Sequence, residues 1–389
     1  MGEGVLEGGE VEVEAAAASA YDASSIVVLE GLEAVRRRPG MYVGDTRDGS
    51  GLIVAACELI DNAVNEALEG FGDKVGVILH AGGAVTVADR GRGIPVEALG
   101  GRSAVEIIMT QIGGARRDDL GASRIRGTLW GLGCAVVNGC SAWLEVEVRR
   151  EGRVWRQRYV EGKPQGPLAA CEPCWESGTR ITFLPDPTIF EGAGLCVERL
   201  LKAVELRATL APEVEIVIVD EAQSLTHRLR RPRGLADALA RRDEALGRQP
   251  LHPAIFHLAG PVVAGERRPR SEVALRWCAQ DDAEITAICN AHLTPLGPHI
   301  VGLRRGLARA LGALAGRRVR RQGAVRGLSA VIGLHLEDPR YAGATRERLE
   351  SPEAEAMIAD LIIAQLPARL GRFAGLRDAV VSRACAPRL

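Results

Sequence analysis

The clearest pattern of hydrophobic and polar positions lies in residues 52–68. Apolar residues recur there at every third or fourth position, which predicts an amphipathic helix. Its polar face consists of carboxylates and carboxamides on two neighbouring ridges, one with Glu58, Asn62 and Glu66 and the other with Asp61 and Asn65. Oxygen ligands in this arrangement suit a divalent cation and an attacking water, although a solvated surface helix can show the same pattern.

Short apolar runs on both sides of a glycine-rich segment predict β-strands. Residues 75–79 and 85–88 are joined at Gly82-Gly83, which predicts a hairpin. The remaining predicted elements are antiparallel strands at 144–148, 154–160 and 179–184, a helix at 197–210, and strands at 214–219, 273–277, 285–290 and 328–336. A basic amphipathic helix is predicted at 301–314, and the chain is predicted to be helical, with interruptions, from residue 353 to its end.

Two glycine-containing motifs suggest a nucleotide. Residues 89–95 (Asp-Arg-Gly-Arg-Gly-Ile-Pro) follow the second predicted strand, where a carboxylate can accept from a base amino group while glycines let the backbone approach a flat ring. Residues 127–133 (Gly-Thr-Leu-Trp-Gly-Leu-Gly) open a helix and can cradle a phosphate, and the polar segment before them is typical of a lid. The alternatives are an ordinary turn and a flexible surface loop.

Length and composition narrow the class of protein. At 389 residues and 47% hydrophobic content, two or three domains with real cores are expected. No run approaches 18 apolar residues, so we predict no membrane span. Residues 1–20 are acidic and alanine-rich, which predicts a disordered tail rather than a signal peptide and hence a cytoplasmic protein. The scattered cysteines are typical of reduced thiols, and the one CxxC, Cys171 to Cys174, lacks two further zinc ligands at comparable spacing.

Charge is distributed unevenly along a chain whose formal net charge is −1. Residues 1–219 hold 32 acidic and 22 basic side chains, whereas residues 220–330 hold 10 acidic and 19 basic ones. The basic segment includes the sequence Arg-Arg-Val-Arg-Arg at 317–321. It favours contact with a polyanion, and the alternative is a solvated face with internal ion pairs.

Taken together, these segments resemble the ATPase half of the type IIA topoisomerases, meaning the gyrase B protein and its topoisomerase IV counterpart. The matching motifs occur in the family's order over about residues 21 to 360: Tyr21-Asp-Ala-Ser-Ser-Ile26, Arg38-Pro-Gly-Met-Tyr-Val-Gly-Asp45, Glu58-Leu-Ile-Asp-Asn-Ala63, residues 89–95, Val136-Val-Asn138, Ser177-Gly-Thr179, Asn290, Gly297-Pro-His-Ile-Val-Gly302, Arg326-Gly-Leu-Ser-Ala-Val331 and Asp338-Pro339.

The resemblance implies an α+β fold with two domains after the tail. Residues 21–222 would form a GHKL-type ATPase sandwich, in which helices cover a mixed, largely antiparallel sheet, and would begin with a dimerisation arm. Residues 223–389 would form a basic transducer domain of the ribosomal-protein-S5-like α/β type.

The resemblance also implies the roles of individual residues. Glu58 would be the general base for the attacking water, and Asn62 would hold Mg²⁺ beside the ATP phosphates. Asp89 would accept from the adenine amino group with the help of Thr179. The other residues expected around the nucleotide are Glu66 paired with Arg92, then Gly93, Ile94, Pro95 and Arg150, the phosphate-wrapping Gly127, Leu129, Gly131, Leu132 and Gly133, and Tyr21 from the arm of a second protomer.

Three departures from the family's pattern concern hydrolysis. Val54 stands one helical turn before Glu58, where the family has a histidine that orients the carboxylate. Arg346, with Arg348 as a second candidate, stands in place of a lysine that reaches the γ-phosphate, and its planar fork differs from a compact ammonium. Thr128 and Trp130 replace a glycine and a histidine of the phosphate loop.

The predicted function is therefore ATP binding with slow hydrolysis, in a protein that forms a homodimer when ATP binds. A clamp on the DNA phosphate backbone, through residues 226–326, is expected from the basic segment and the resemblance. Because the chain stops at Leu389, where a gyrase chain of this family continues into a metal-binding cleavage domain, we expect no DNA cleavage by this chain alone and consider a separate cleavage subunit possible. The alternative is an ATP-gated clamp, or a regulatory or decoy gyrase-like subunit, with vestigial hydrolysis.

Overall fold

A computed structural model of the protein describes residues 31–112, 133–261, 270–342 and 346–387. The predicted tail and arm, including Tyr21, lie outside the described residues, as do Gly127, Leu129, Gly131 and Leu132. The described helices are α1 Glu33–Arg37, α2 Gly40–Val43, α3 Ser50–Leu68, α4 Ala104–Thr110, α5 Gly133–Gly139, α6 Pro187–Phe190, α7 Val197–Leu210, α8 Leu235–Ala245, α9 Pro298–Ala315, α10 Arg321–Ala324, α11 Glu353–Leu370 and α12 Ala374–Cys385.

The described strands are β1 Lys74–Leu79, β2 Val85–Asp89, β3 Ala98–Leu99, β4 Arg102–Ser103, β5 Ser141–Arg150, β6 Arg153–Val160, β7 Lys163–Pro164, β8 Ala169–Pro173, β9 Gly178–Pro185, β10 Glu215–Asp220, β11 Leu225–Leu229, β12 Phe256–Ala259, β13 Ser271–Trp277, β14 Glu284–Cys289, β15 His292–Leu293 and β16 Leu328–Leu334. The long predicted helices and strands are therefore all confirmed, and their ends differ from the predictions by a few residues.

In the described part of the chain, the first sheet has nine strands in the order β11-β10-β1-β2-β9-β5-β6-β7, with β8 paired to β6. Its pairings are antiparallel except that of β1 with β10, which is parallel. Alternate residues of β1 are buried, as expected for a strand whose one face is covered by helices. This arrangement confirms the predicted α+β fold with a mixed, largely antiparallel sheet.

Helix α3 lies on the first sheet and organises its core. It begins where the Asp48 carboxylate accepts a hydrogen bond from the Ser50 backbone N–H at 2.8 Å. The apolar side chains at spacings of three and four are buried, among them Leu52, Ala55, Leu59, Ile60 and Ala63. The predicted amphipathic pattern is confirmed, but the helix is buried more deeply than a surface helix would be.

The second sheet has the order β12-β13-β16-β14-β15. Strands β14 and β16 are parallel, and the chain between them includes α9. Helices α9 and α11 pack closely because glycines face α11: a β-carbon on Gly306 would lie 2.9 Å from the Ala359 carbonyl oxygen. This helix-covered sheet is consistent with the expected α/β second half.

The two sheets meet through a small apolar cluster. It contains Leu210 from the end of α7, Leu235 and Leu239 from α8, and Ile288 and Val331 from the second sheet. Strand β11 still pairs with β10, so the first sheet extends to Leu229, beyond residue 222 where the first domain was predicted to end.

The state of the cysteine thiols, the grouping of possible metal ligands and the hydropathy of the helices can be read from the described residues. All nine cysteines have free thiols, and Cys171 and Cys174 lie at and just after β8. Within the described ranges, no three His, Cys, Asp or Glu side chains are grouped as metal ligands. None of the helices in the described part of the chain has both the length and the hydropathy that crossing a bilayer requires.

Candidate functional site

Glu58 lies where α3 meets the first residue of α5. Its side chain is buried, with 3% of the residue exposed. A β-carbon on Gly133 would overlap the Glu58 carboxylate and would lie 2.9 Å from the Glu58 β-carbon. The last glycine of the predicted phosphate loop therefore leaves the space that the carboxylate occupies, and the loop's end and the predicted base are in direct contact.

Asn62 lies one helical turn after Glu58 and is exposed. Its amide Nδ2 donates a hydrogen bond to the Cys134 thiol at 3.2 Å. Because the nitrogen faces the thiol, the amide oxygen faces away from it. A carboxamide oxygen is a ligand that Mg²⁺ accepts, and magnesium is commonly held by one or two protein ligands together with substrate phosphates. The side chain therefore fits the predicted metal.

Asp61 belongs to the other polar ridge of α3 and forms a buried ion pair with Arg207 of α7. Arg207 Nε lies 2.7 Å from Oδ1, and Nη2 lies 2.8 Å from Oδ2. Burial alone would lower the pKa of Arg207, but its neighbours, with Asp61 the largest contributor among them, together outweigh burial and raise the pKa of the guanidinium. Since Glu58 and Asp61 are buried, the alternative of a solvated face is wrong at these two positions.

Asp89 ends β2 and accepts two backbone hydrogen bonds on one oxygen. The N–H groups of Gly91 and Thr179 lie 2.7 and 3.1 Å from Oδ1. Burial raises the pKa of Asp89 to about 6, although these two hydrogen bonds act in the opposite direction. The backbone donors leave Oδ2 to accept from a ligand amino group, as adenine recognition requires.

The segment after Asp89 folds against β5 and β9. Gly93 has φ +77°, and a β-carbon there would lie 2.9 Å from the Arg149 carbonyl oxygen, so glycine is required. The Ile94 N–H donates to Thr179 Oγ1 at 3.2 Å, and Arg150 Nη1 donates to the Gly93 carbonyl at 2.8 Å. Ile94 and Pro95 are half-buried. The structure thus brings together the residues predicted to surround an adenine: Asp89, Gly93, Ile94, Pro95, Arg150 and Thr179.

Glu66 links α3 to the same segment. Its carboxylate accepts from the Arg92 backbone N–H at 3.0 Å and from Arg92 Nη2 at 2.7 Å. Glu69 also accepts from Arg92 Nη2, at 2.6 Å, and the guanidinium lies 4.2 Å from the centre of the Phe71 ring. These contacts fix the loop of residues 89–95 to the end of α3.

Val54, one turn before Glu58, is partly buried against a small apolar cluster that includes Leu52, Ala135 and Val136. A valine side chain has no hydrogen-bonding group, so it cannot orient the Glu58 carboxylate. The valine that replaces the family's histidine in the sequence therefore also leaves the predicted general base without a hydrogen-bond partner from this position.

Arg346 lies on the second-sheet side of the site. Its Nη1 lies 2.8 Å from Nε2 of His292, and its guanidinium carbon lies 5.8 Å from the Tyr341 ring centre. Burial lowers the pKa of Arg346, while Tyr341, Glu58 and Asp61 favour its charge. The guanidinium is therefore within electrostatic range of the carboxylates on α3, where a charge for a terminal phosphate would be needed.

The basic segment divides into an internal and an exposed group. Arg276 and Arg242 lie 2.7 and 3.7 Å from the fully buried Asp243. By contrast, seven exposed arginines of this segment have no carboxylate within 4.0 Å among the described residues: Arg230, Arg304, Arg309, Arg317, Arg318, Arg320 and Arg321. The internal ion pairs of the alternative interpretation are therefore present, while the exposed arginines are the ones that the predicted contact with a polyanion would use.

Several exposed arginines line one cleft of about 580 Å³. Arg317, Arg318 and Arg320 contribute to its wall, and Val319 between them is buried. Asp281, also in the wall, pairs with Arg383 and so adds little negative charge to the cleft. The cleft is therefore suited to anionic groups.

Sequence reasoning missed Arg207, Cys134 and His292. Arg207 could have been noticed, because the spacing of Leu200, Val204 and Arg207 puts a charge on the buried face of α7. A charge on such a face requires a buried partner. Cys134 and His292 gave no signal, since their contacts depend on how distant segments pack.

Comparison with known protein families matches the two halves of the chain separately. Residues 47–189 match the family described as histidine kinase-, DNA gyrase B-, and HSP90-like ATPase. Residues 234–387 match the family described as DNA gyrase B. The first match includes Glu58 and Asp89 and most strands of the first sheet, and the second includes the whole second sheet and Arg346.

Individual relatives are similar along most of the chain. The novobiocin-resistant DNA gyrase B protein of Streptomyces niveus is 32% identical over 377 residues, which are 88% of this chain and 54% of that protein. The DNA topoisomerase 4 B protein of Escherichia coli K12 is 35% identical over 358 residues, 88% of this chain and 55% of that protein. The chain thus spans about half the length of these relatives.

Solved structures are similar in the arrangement of both sheets. The 43K ATPase domain of Thermus thermophilus gyrase B, solved in complex with an aminocoumarin, superposes with a TM-score of 0.77 at 29% identity and covers 91% of this chain and 93% of that one. The gyrase B protein from Myxococcus xanthus superposes with a TM-score of 0.72 at 27% identity, covering 90% and 99%.

Proposed function

Since the chain belongs to the GHKL ATPases of the type IIA topoisomerases, we propose that it binds ATP with Mg²⁺ along α3 and hydrolyses it slowly. The observation that carries the proposal is the order of groups along this helix. Glu58 and Asn62 are near the end of the phosphate loop, whereas Glu66 holds the loop that follows Asp89. Glu58 and Glu66 are about 12 Å apart along the helix axis. That separation gives the site a phosphate end near Glu58 and an adenine end near Asp89.

At the adenine end, Asp89 Oδ2 accepts a hydrogen bond from the adenine amino group, and the backbone of Gly93 lies against the ring. At the phosphate end, the amide oxygen of Asn62 would hold Mg²⁺, which would neutralise phosphate charge. Glu58 accepts a proton from the attacking water and orients that water towards the terminal phosphate. Arg346 supplies positive charge on the far side of the transferred group.

Slow turnover follows from the surroundings of Glu58. Val54 offers no hydrogen bond to the carboxylate, and the arginine at 346 presents a planar fork instead of a compact ammonium. The residues on the binding side, Asp89, Asn62 and Gly133, retain the chemistry that binding needs. Because the binding residues are retained and the residues that support hydrolysis are altered, the protein stays in its ATP-bound state for long periods. ATP binding, rather than hydrolysis, then controls the state of the protein.

A binding titration tests the proposal. ATP is titrated with and without Mg²⁺ into the unaltered protein and into the Asp89→Ala and Asn62→Ala variants. We expect Asp89→Ala to weaken binding with or without the metal, and Asn62→Ala to reduce only the gain that Mg²⁺ provides. Saturable ATP binding that neither substitution changes would contradict the proposed site.

The proposal includes a homodimer that forms when ATP binds, through the arm around Tyr21. Gel filtration with a non-hydrolysable ATP analogue tests this part, with a variant that lacks residues 1–30 as the control. We expect the analogue to convert the full chain to a dimer and to leave the shortened chain a monomer. A full chain that stays monomeric at saturating analogue would contradict dimerisation.

A second part of the proposal is a contact with the DNA phosphate backbone through residues 226–326. The exposed arginines and the cleft beside them support it, since arginine binds phosphate in a bidentate manner. Such contacts do not depend on base sequence and weaken with salt. On this proposal, the chain is an ATP-gated clamp that closes around DNA.

A further inference from the structure

His292 is presented by a tight hairpin between β14 and β15. The two residues of its turn, Asn290 and Ala291, have φ of +46° and +66°. Such a two-residue turn is usually built from asparagine and glycine, so an alanine there is unusual. The Asn290 side chain holds the turn in place, because it accepts from the Leu336 N–H at 2.9 Å and donates to the Leu336 carbonyl at 2.6 Å. The position of His292 is therefore fixed by buried backbone contacts.

The imidazole of His292 contacts the guanidinium of Arg346. Nη1 of Arg346 lies 2.8 Å from Nε2, so the imidazole nitrogen accepts and the guanidinium donates. Burial lowers the pKa of His292 to about 4, and the neighbouring Arg346 acts in the same direction. The ring is thus neutral at physiological pH and can accept through Nε2.

Tyr341 completes the surroundings of the guanidinium. Its ring lies edge-on to His292, with 6.4 Å between the ring centres, and its hydroxyl donates to the Cys289 carbonyl at 3.3 Å. Arg346 itself has φ +58°, a conformation that residues with a β-carbon seldom adopt. The contacts of the Arg346 side chain with His292 and Tyr341 stabilise this backbone conformation.

The same cluster is in electrostatic contact with α3. Asp61 and Arg207 both act on His292, and Glu58 and Asp61 both act on Arg346. The hairpin of the second sheet thus places the His292 imidazole against the guanidinium that interacts with the carboxylates of α3.

We propose that His292 is a positioning residue for ATP hydrolysis: its Nε2 fixes the Arg346 guanidinium at the phosphate end and so makes turnover depend on the hairpin of the second sheet. The inference rests on the proposed function. A purely structural role would need only a ring of this size against Tyr341. The positioning role needs the hydrogen-bond acceptor.

Three substitutions separate these roles. His292→Phe keeps a ring and removes the acceptor, while His292→Gln keeps an acceptor. His257→Phe is the matched control, because His257 pairs with Glu272 on the strands β12 and β13 and is not part of the site. Single-turnover hydrolysis and ATP affinity are measured for each, with thermal unfolding to verify folding.

We expect His292→Phe to slow single-turnover hydrolysis about tenfold, in line with the loss of one hydrogen bond to a charged group. ATP affinity should stay within about threefold, and both His292→Gln and the control should stay near the unaltered rate. In an Arg346→Ala background, His292→Phe should have no further effect, since residues that act as one unit are not additive.

The outcomes are distinguishable from failure of the proposed function. An unaltered protein that neither binds nor hydrolyses ATP would contradict the proposed function. If the unaltered protein hydrolyses ATP, an unchanged rate in His292→Phe would overturn the inference. If His292→Phe slowed single-turnover hydrolysis by the same factor in the unaltered protein and in the Arg346→Ala background, the inference would also be overturned. His292 would then act independently of the guanidinium.

Discussion

The α-carbon of Gly133 lies so close to the carboxylate of Glu58 that a β-carbon on the glycine would overlap it. The end of the phosphate loop and the predicted general base therefore share one packed contact. Any side chain at position 133 must displace the carboxylate or the loop. Such a displacement affects catalysis more than folding, because the contact involves a functional group at the edge of the core.

We predict that Gly133→Ala slows ATP turnover about 100-fold, since a displacement of about 1 Å in a reacting group has effects of this size. Steady-state phosphate release measures it. Gly375→Ala is the matched control: Gly375 is also helical, and no atom lies within 4 Å of the position of its β-carbon. The control should leave turnover unchanged and stabilise the protein by about 0.5 to 1 kcal/mol. Equal turnover in the two variants would show that the Gly133 contact has no catalytic role.

ATP affinity should fall as the pH falls through about 6, the pKa to which burial raises Asp89. Because Oδ1 already accepts two backbone N–H groups, the proton binds Oδ2 and turns it into a donor that faces the adenine amino group. Asp89→Asn places an N–H₂ there at every pH, so we expect its affinity to be at least about tenfold lower and to lack this pH dependence. Titrations between about pH 5 and pH 8 are the measurement, and parallel pH profiles of the two proteins would contradict it.

The raised pKa of Asp89 also predicts a stability difference. Because the pKa in the folded state lies above the ordinary value of 3.8, the contribution of Asp89 to stability is complete below that value and is lost as pH rises through about 6. At pH 7.5, Asp89→Asn should therefore be more stable than the unaltered protein by about 3 kcal/mol. Urea unfolding at pH 4.5 should show a much smaller difference. A difference of the same size at both pH values would show that the ionised carboxylate is not destabilising.

Removing one partner of the buried pair between Asp61 and Arg207 should be costly. We predict that Arg207→Leu lowers the free energy of unfolding by about 3 to 5 kcal/mol, because it leaves a carboxylate buried without its counter-ion. Arg199→Leu, which breaks the exposed pair with Asp48, should change the free energy of unfolding far less, because solvent screens that pair. Urea unfolding at pH 7.5 measures both. A small effect of Arg207→Leu would mean that water reaches Asp61.

Binding of duplex DNA should depend on the exposed arginines near the cleft. We expect the double variant Arg317→Glu with Arg318→Glu to weaken DNA binding and to reduce the slope of log affinity against log salt by about 2. The charge-matched control is Arg37→Glu with Arg47→Glu, two exposed arginines outside the basic segment. Fluorescence anisotropy at several salt concentrations makes the measurement. An affinity that does not change with salt would contradict a phosphate contact.

The sequence was most informative where the local pattern determines the structure. The helical spacing of Leu52, Leu59 and Ile60 predicted α3, and the alternation in β1 and β2 predicted their hairpin. Motif order also predicted that Asp89 and Thr179 would meet, although 90 positions separate them along the chain. The resemblance to a known family supplied this last relationship, since spacing alone does not determine which strand ends are neighbours.

The packing of distant side chains could not be predicted in this way. The burial of Glu58 and Asp61 depends on α5 and α7 covering α3. A row of polar residues on a helix gives the same sequence pattern whether another helix covers it or water surrounds it. The contact between His292 and Arg346 likewise depends on two turns of the second sheet that lie 54 positions apart in the chain. The charge excess of residues 220–330 could not be divided into internal pairs and exposed arginines until the position of Asp243 was known.

The most direct test of ATP hydrolysis at this site is steady-state phosphate release by the unaltered protein and by Glu58→Ala under saturating ATP and Mg²⁺. Both proteins should bind ATP, and we predict slow release by the unaltered protein and a rate at least about 100-fold lower in the variant. Val54→His is the companion variant and should raise the rate of the unaltered protein by returning a hydrogen-bonding group to the turn before Glu58. Equal rates of phosphate release with glutamate and with alanine at position 58 would contradict the assignment of Glu58 as the general base.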